Sequence, residues 1–307
     1  MTPTICITGV AGFIGSNLAD RLLREGYHVL GIDNLSYGVR EQIPDGVEFH
    51  PLDIRSEDIF PVIARASHVF HLAAKNCISD CQIDPVETAD INVRGTANVF
   101  EAARRGGVEK VIYAESSALY EGSTVFPTPE EEARPESFYA LSKYASMLFA
   151  EGYARFHGVR STALRYFNVY GPRQDYRRSI PPLFSAFIIA LREGRRPVIY
   201  GSGEKRRDFV YVDDVNDFHL RCLTDERTTG QVYNLGSGGN HSVNEIYAII
   251  ARLLESDVTP EYRDNLPGEA ETTLADITRA RALGWAPKTS LEEGLAASIA
   301  YIRTLNL

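Results

Sequence analysis

Thr4-Ile5-Cys6-Ile7-Thr8-Gly9-Val10-Ala11-Gly12-Phe13-Ile14-Gly15 is the stretch that decides the fold. Its first five residues are a short apolar, β-branched run, which predicts a buried strand. Three glycines at three-residue spacing follow, and the amphipathic residues 16–25, ending at Gly26, predict a helix. A strand that enters a helix through closely spaced glycines lets backbone N–H groups approach an anion at the helix N-terminus. A dinucleotide pyrophosphate is the anion this geometry suits. Asp33 ends the next apolar run, 18 residues beyond Gly15, where an acid accepts from adenosine ribose hydroxyls and repels a 2′-phosphate. NAD is therefore expected over NADP. Asp53-Ile54, after the third run, falls where the adenine edge would lie.

The rest of the first half keeps this rhythm. Apolar runs at residues 27–32, 47–51, 67–72, 110–114 and 160–166 predict strands, and residues 86–105 and 138–156 predict helices. Nearly all-apolar strands alternating with helices mean a parallel sheet covered on both faces, with right-handed crossovers. The expected fold class is α/β: a doubly wound parallel Rossmann sheet with a smaller C-terminal α/β substrate-binding lobe. The first lobe is expected to span residues 1–170 together with 207–235, and the second 171–206 and 236–307. Within the latter part, helices are predicted near 182–193, 213–223, 243–254, 278–283 and 291–303, and strands near 197–200 and 208–211.

Composition narrows the function. With 307 residues, 44% apolar and 24% charged, the chain can bury a core without a disulfide or metal staple. Its 32 basic and 41 acidic residues give a net charge of −9, which argues against general binding to nucleic acid or an anionic membrane. Cys6, Cys77, Cys81 and Cys222 lack the paired spacing of a zinc site, so no metal and reduced thiols are expected. No 18-residue apolar span occurs, and neither a signal peptide nor a membrane helix is expected, which suits a cytoplasmic protein.

Tyr139-Ala140-Leu141-Ser142-Lys143 sets a phenol and an ammonium four residues apart on one helix face. Such a pair is common on amphipathic helices. A phenol is a poor base at neutral pH, with a reference pKa of about 10, and a nearby cation favours the phenolate. Ser116, ending the fifth strand, can bond the same substrate hydroxyl, so the three groups suit removal of a proton from an alcohol as its carbon gives up a hydride.

With these motifs in place, the chain resembles an extended short-chain dehydrogenase/reductase, most similar to nucleotide-sugar 4-epimerases of the UDP-glucose/UDP-N-acetylglucosamine type. The likeness runs through nearly the whole chain. It rests on residues 8–15, Asp33-Asn34-Leu35-Ser36, Asp53-Ile54-Arg55, His71-Leu72-Ala73-Ala74, Asn92-Val93-Arg94-Gly95-Thr96, and Ser116-Ser117-Ala118-Leu119-Tyr120. Further on it includes residues 139–143, Arg165-Tyr166-Phe167-Asn168-Val169-Tyr170-Gly171-Pro172-Arg173 and Arg207-Asp208-Phe209-Val210-Tyr211-Val212-Asp213-Asp214. The resemblance implies a catalytic trio of Ser116, Tyr139 and Lys143. It implies NAD contacts from Gly9, Gly12, Phe13, Ile14, Gly15, Asp33, Asn34, Asp53, Ile54, Leu72, Ala73, Ala74, Asn92, Tyr139 and Lys143. Ser116, Ser117, Asn168 and Arg207 are implied to meet the sugar nucleotide, a UDP-sugar by this likeness. His71 resembles a structural histidine near the cofactor. A homodimer is implied through the helices at 86–105 and 138–156, with Val99, Met147, Leu148 and Phe149 as candidate contacts.

Dehydratases and decarboxylases of this architecture carry an acid just after the catalytic Ser or Thr, and Ser117-Ala118-Leu119 has none, which favours epimerisation. Glu115, where a small or hydroxyl residue is usual, reads either as a buried partner for a cation or as an unusual acid; the latter leaves a dehydratase (lyase) open, and a 4-keto-sugar reductase is the other alternative. Leu266 replaces an arginine that contacts the diphosphate in many epimerases, with Arg263 or Arg173 as substitutes. Thr273, in place of a bulky residue, implies room for an N-acetylated sugar.

Overall fold

Residues 3–178, 181–265 and 270–305 are described by the structure, a computed structural model. Its leading strand β1 (Thr4–Thr8) is buried from Ile5 onward, and helix α1 (Phe13–Arg24) begins directly after the glycines. Strands β2 (His28–Ile32), β3 (Glu48–His50), β4 (His68–His71), β5 (Lys110–Ser116) and β6 (Ser161–Tyr166) follow with parallel pairing. The seven-stranded sheet runs Val232–Leu235, β6, β5, β4, β1, β2, β3. The order reverses between β1 and β4, which opens a crevice at their C-terminal ends, the usual ligand position in doubly wound sheets. Gly9 follows β1 there, and Leu72, Ala73 and Ala74 follow β4.

Several helices were not legible as such. Short ones at Phe60–Ile63 (α2) and Ile78–Ile83 (α3) precede α4 (Pro85–Ala89). The helix predicted over 86–105 is α4, a π-helical stretch Asp90–Arg94, and α5 (Gly95–Gly106), run end to end. The wider π turn carries Asn92, and such bulges recur at functional sites. Helix α6 (Phe138–His157) is capped by Ser137, whose hydroxyl accepts from Ala140 N, and it ends on Gly158 in the left-handed conformation.

The chain divides into two units. One comprises residues 1–125, 130–166 and 216–234; the other comprises 126–129, 167–215 and 235–307. The first has an apolar core between the sheet and its helices, built on Leu30, Ile63, Val69, Phe100 and Val111 among others. The second is organised around the helices Leu183–Arg192, Val243–Leu253 and Leu291–Thr304, which enclose Phe187, Ile246, Ile250 and Leu295. Its strands are short pairs, such as Asn168–Tyr170 with Phe209–Tyr211 and Val198–Tyr200 with Glu261–Arg263.

Candidate active site

The glycines form a cradle in which Gly9 and Gly15 stand where no other residue fits. A Cβ on Gly15 would lie 2.1 Å from the Gly9 carbonyl oxygen, and one on Gly9, at φ +77°, would lie 2.8 Å from Ala73 N. Backbone thus meets backbone across the crevice, which is the close approach a pyrophosphate demands. Phe13 and Ile14 open α1 beside it. Asp33 accepts from Ala11 N (3.0 Å) through one oxygen and from Leu35 N (2.8 Å) through the other, so the carboxylate is fixed against the glycine loop. Burial raises its pKa, and these two bonds oppose the rise. This donor and acceptor set suits a dinucleotide such as NAD.

Asp53 is held by its own loop. Arg55 donates to both of its oxygens, through Nε at 2.9 Å and the terminal nitrogen at 2.7 Å, while Arg55 N (2.8 Å) and Asn34 Nδ2 (2.9 Å) add two more bonds. Four accepted bonds exhaust a carboxylate's usual capacity, and the Arg55 guanidinium holds Asp53 well below the ordinary carboxylate range. Its side chain therefore clamps the loop that follows β3. Asn34 serves the same clamp. Ile54 is buried, and its carbonyl accepts from Asn98 Nδ2 at 2.7 Å.

His71 and Asn92 tie the crevice walls together. Thr96 Oγ1 lies 2.5 Å from the Asn92 carbonyl and donates to it. His71 Nε2, 2.9 Å from Thr96 Oγ1, is therefore the protonated ring nitrogen, and Nδ1 accepts from Thr8 Oγ1 at 2.8 Å. Burial, with Lys143 adding to it, pushes His71 down to about 3, so it is a neutral structural bridge. Asn92 spans the Lys75 backbone, accepting from its N–H (2.8 Å) and donating to its carbonyl (2.9 Å) and to Ser142 Oγ (2.9 Å). Ser142 in turn donates to the Tyr139 carbonyl (2.7 Å), so the segment after β4 is locked to the first turns of α6.

On α6, Tyr139 and Lys143 are both buried, one turn apart. Lys143 Nζ donates to the Ala114 carbonyl on β5 at 2.9 Å, two residues before Ser116. Ser116 ends β5, and its hydroxyl accepts from Ala118 N at 3.1 Å, capping the 3-10 turn Ser117–Tyr120. Burial lowers Lys143 to about 8, with Glu115 and Cys81 opposing the fall. A buried ammonium near neutrality, anchored on the strand that presents Ser116, is a perturbed group of the kind active sites collect.

Glu115 is not an exposed acid. It is fully buried, with Oε2 2.7 Å from Arg165 Nε on the neighbouring strand, where the register pairs Glu115 with Arg165. Of the two readings the sequence left open, the structure gives the partner of a buried cation.

The second unit holds a cavity of about 280 Å³. Asn168 and Arg207 line it, with Tyr200, Lys205, Phe184 and Gln174 among its other walls. Lys205 was not singled out by the sequence; it lies in the run Lys205-Arg206-Arg207, which reads as an exposed basic face, yet it is buried. Thr273 does not line this cavity. Its hydroxyl accepts from Asp208 N (3.0 Å) and from Asn168 Nδ2 (3.3 Å), which pins Asn168. Arg263 is exposed and paired with Glu261 at 2.8 Å, and neither it nor Arg173 lines the cavity. Leu266 lies outside the described residues.

Comparison with known proteins decides the family. The model of the NAD dependent epimerase/dehydratase family matches residues 5–236. The chain belongs to that family. It is 36% identical to a UDP-glucose 4-epimerase of Mycolicibacterium smegmatis over 97% of both chains. Among solved structures, the UDP-glucose 4-epimerase of Thermotoga maritima with UDP-glucose superposes with a TM-score of 0.94 at 36% identity, covering 98% of this chain and 99% of that one. The UDP-N-acetylglucosamine 4-epimerase of Methanobrevibacter ruminantium, in complex with UDP-N-acetylmuramic acid, does so with a TM-score of 0.95 at 31% identity and 99% coverage of each. As a member of this family the protein is an NAD-dependent enzyme with a Rossmann sheet.

Proposed function

We propose that the protein is a nucleotide-sugar 4-epimerase that works on a UDP-sugar, glucose/galactose or the N-acetylhexosamine pair, through a transient 4-keto-sugar. The observation that carries this over a lyase reading is the burial of Glu115 against Arg165. With that carboxylate out of reach and none at residues 117–119, the site keeps the means to oxidise and reduce C4 but lacks the extra acid that water elimination needs.

Bound NAD supplies the hydride acceptor and donor at C4. Tyr139 takes the C4 hydroxyl proton as the carbon is oxidised and returns it when the carbon is reduced on the other face. Lys143, held by the Ala114 carbonyl, stabilises the phenolate, and Ser116 bonds the same sugar oxygen. Asn168 and Arg207 hold the nucleotide end, the guanidinium suiting a diphosphate. Incubating the protein with UDP-, GDP- and dTDP-sugars, with no cofactor added, tests the reading by NMR and mass spectrometry of the products. It predicts a C4-inverted UDP-hexose of unchanged mass; a product lighter by one water, or no conversion by protein that retains NAD, contradicts it.

A homodimer belongs to the same proposal. Of the four candidate contacts, Val99 and Met147 are buried within the unit, while Leu148 and Phe149 stand half exposed on α6. Ile83 on α3, Val86 on α4 and Phe156 on α6 are exposed by 82, 78 and 74%. Large side chains so presented favour a partner surface. A cytoplasmic location is supported by four free thiols, of which burial holds Cys6 and Cys222 up at about 12.

A further inference from the structure

Glu115 precedes Ser116 on β5, and strand alternation turns their side chains to opposite faces. On its own face Glu115 meets a guanidinium whose other nitrogens are already engaged. Arg165 sends one to the Tyr120 hydroxyl (2.9 Å) and the Glu130 carbonyl, and another toward Met147 Sδ at 3.4 Å. The second carboxylate oxygen of Glu115, Oε1, is buried with no partner at normal hydrogen-bond distance among the described residues, and the polar group beside the carboxylate is the buried Tyr113 hydroxyl, two residues back on β5. A buried ion pair with an unsatisfied oxygen stabilises a fold no better than apolar side chains of similar volume. Its place in this core calls for a role beyond stability.

That role is suggested by what lies across the backbone. The carbonyl that receives the Lys143 ammonium is that of Ala114, in the peptide leading into Glu115. The groups acting on Lys143 come from three neighbours. Glu115 on β5 and Cys81 on α3 favour its charged form, and His71 on β4 is neutral. Cys81 is a thiol whose pKa burial raises, which leaves it uncharged near neutral pH. On its own helix, Tyr139 lies one turn before Lys143. Glu115 is thus the acid among these groups; burial raises its pKa, the Arg165 guanidinium and Lys143 oppose the rise, and Arg165 fixes where the carboxylate sits.

We propose that Glu115, locked by Arg165, is a positioning residue that keeps the Lys143 ammonium charged despite its burial. It touches neither substrate nor cofactor and acts through Lys143. The proposal rests on the reading of Lys143 as the partner of Tyr139, but it is tested without turnover. Lysine side chains are isotopically labelled in the NAD-loaded protein, the Lys143 signal is assigned with Lys143→Met, and its titration is followed by NMR in native protein and in Glu115→Gln. The midpoint of Lys143 falls by about one pH unit or more in Glu115→Gln, other lysines stay put, and Glu115→Asp restores much of the shift. The paired change Glu115→Leu with Arg165→Met leaves no lone buried cation and covers the case in which Glu115→Gln does not fold. It lowers the midpoint by less than Glu115→Gln does, because the guanidinium that opposes the field of the carboxylate is removed with it. A folded variant of either kind with an unmoved Lys143 midpoint overturns the proposal. An inactive native protein whose Lys143 still shifts overturns the epimerase reading instead and leaves this one standing.

Discussion

At the residue scale the account turns on a few atoms. Tyr139→Phe keeps the ring and its packing but removes the group that exchanges a proton with the sugar. Turnover should drop by about 10²–10⁴-fold, the range of general acid–base contributions, while NAD binding measured by cofactor fluorescence stays within a few-fold. Full activity in this variant would remove Tyr139 from the mechanism. Gly15→Ala tests the cradle. Its methyl would meet the Gly9 carbonyl oxygen at 2.1 Å, so the loop must shift. Cofactor affinity should collapse, with a stability cost of about 1–3 kcal/mol read by denaturant unfolding. Retention of NAD at native affinity would show that the loop does not hold the pyrophosphate. The glycines were legible because Gly9 and Gly15 stand where only glycine is tolerated. Glu115 was legible only as one of two readings, since its burial follows from the register that sets it against Arg165, and the bonds of Arg55 and Asn34 to Asp53 emerge only with loop closure.

At the element scale the crevice walls are joined by neutral polar bridges, and these carry a pH signature. His71 links β1, β4 and α5 and is held down at about 3; His219, buried beside Tyr166, is held at about 3 as well. An unfolded histidine titrates near 6.5. Below that pH the unfolded chain binds protons that the folded chain refuses, so stability is full above about 6.5 and is lost progressively toward pH 3. Urea unfolding at pH 6.5 and 4.5 should show a loss of about 2–3 kcal/mol from each of these histidines, and His71→Asn should remove one such share. An unchanged pH slope in that variant would mean that the imidazole is not held neutral. The long elements β1, α1, β5 and α6 were readable from periodicity and caps. Helices α2 and α3 are too short to show a period, and the two-residue strand His241–Ser242 exists only because Arg206–Arg207 pairs with it. The π stretch at Asp90–Arg94 reads as ordinary helix, since one wider turn leaves little trace in the apolar pattern.

At the scale of the whole molecule, fold class and family were legible because strand–glycine–helix alternation has few physical solutions. Substrate selection was less so. The cavity of the second unit gathers Asn168, Lys205 and Arg207 from distant stretches, and no local pattern marked Lys205 as buried. Assembly is a property of the same scale. Light scattering should give a mass near 68 kDa, twice the 34.1 kDa chain, and placing charge on the exposed α6 face with Leu148→Glu and Phe149→Glu should shift it to the monomer. A native mass of one chain would discard the dimer.

The central claim is that C4 loses and regains the same hydrogen inside one closed site, and an isotope reads this most directly. UDP-glucose carrying deuterium at C4 is incubated with the protein in ordinary water, with no cofactor supplied, and UDP-galactose is isolated for NMR. The account predicts the deuterium retained at C4 of the inverted sugar. Inverted product that has exchanged the C4 label for solvent hydrogen would contradict it.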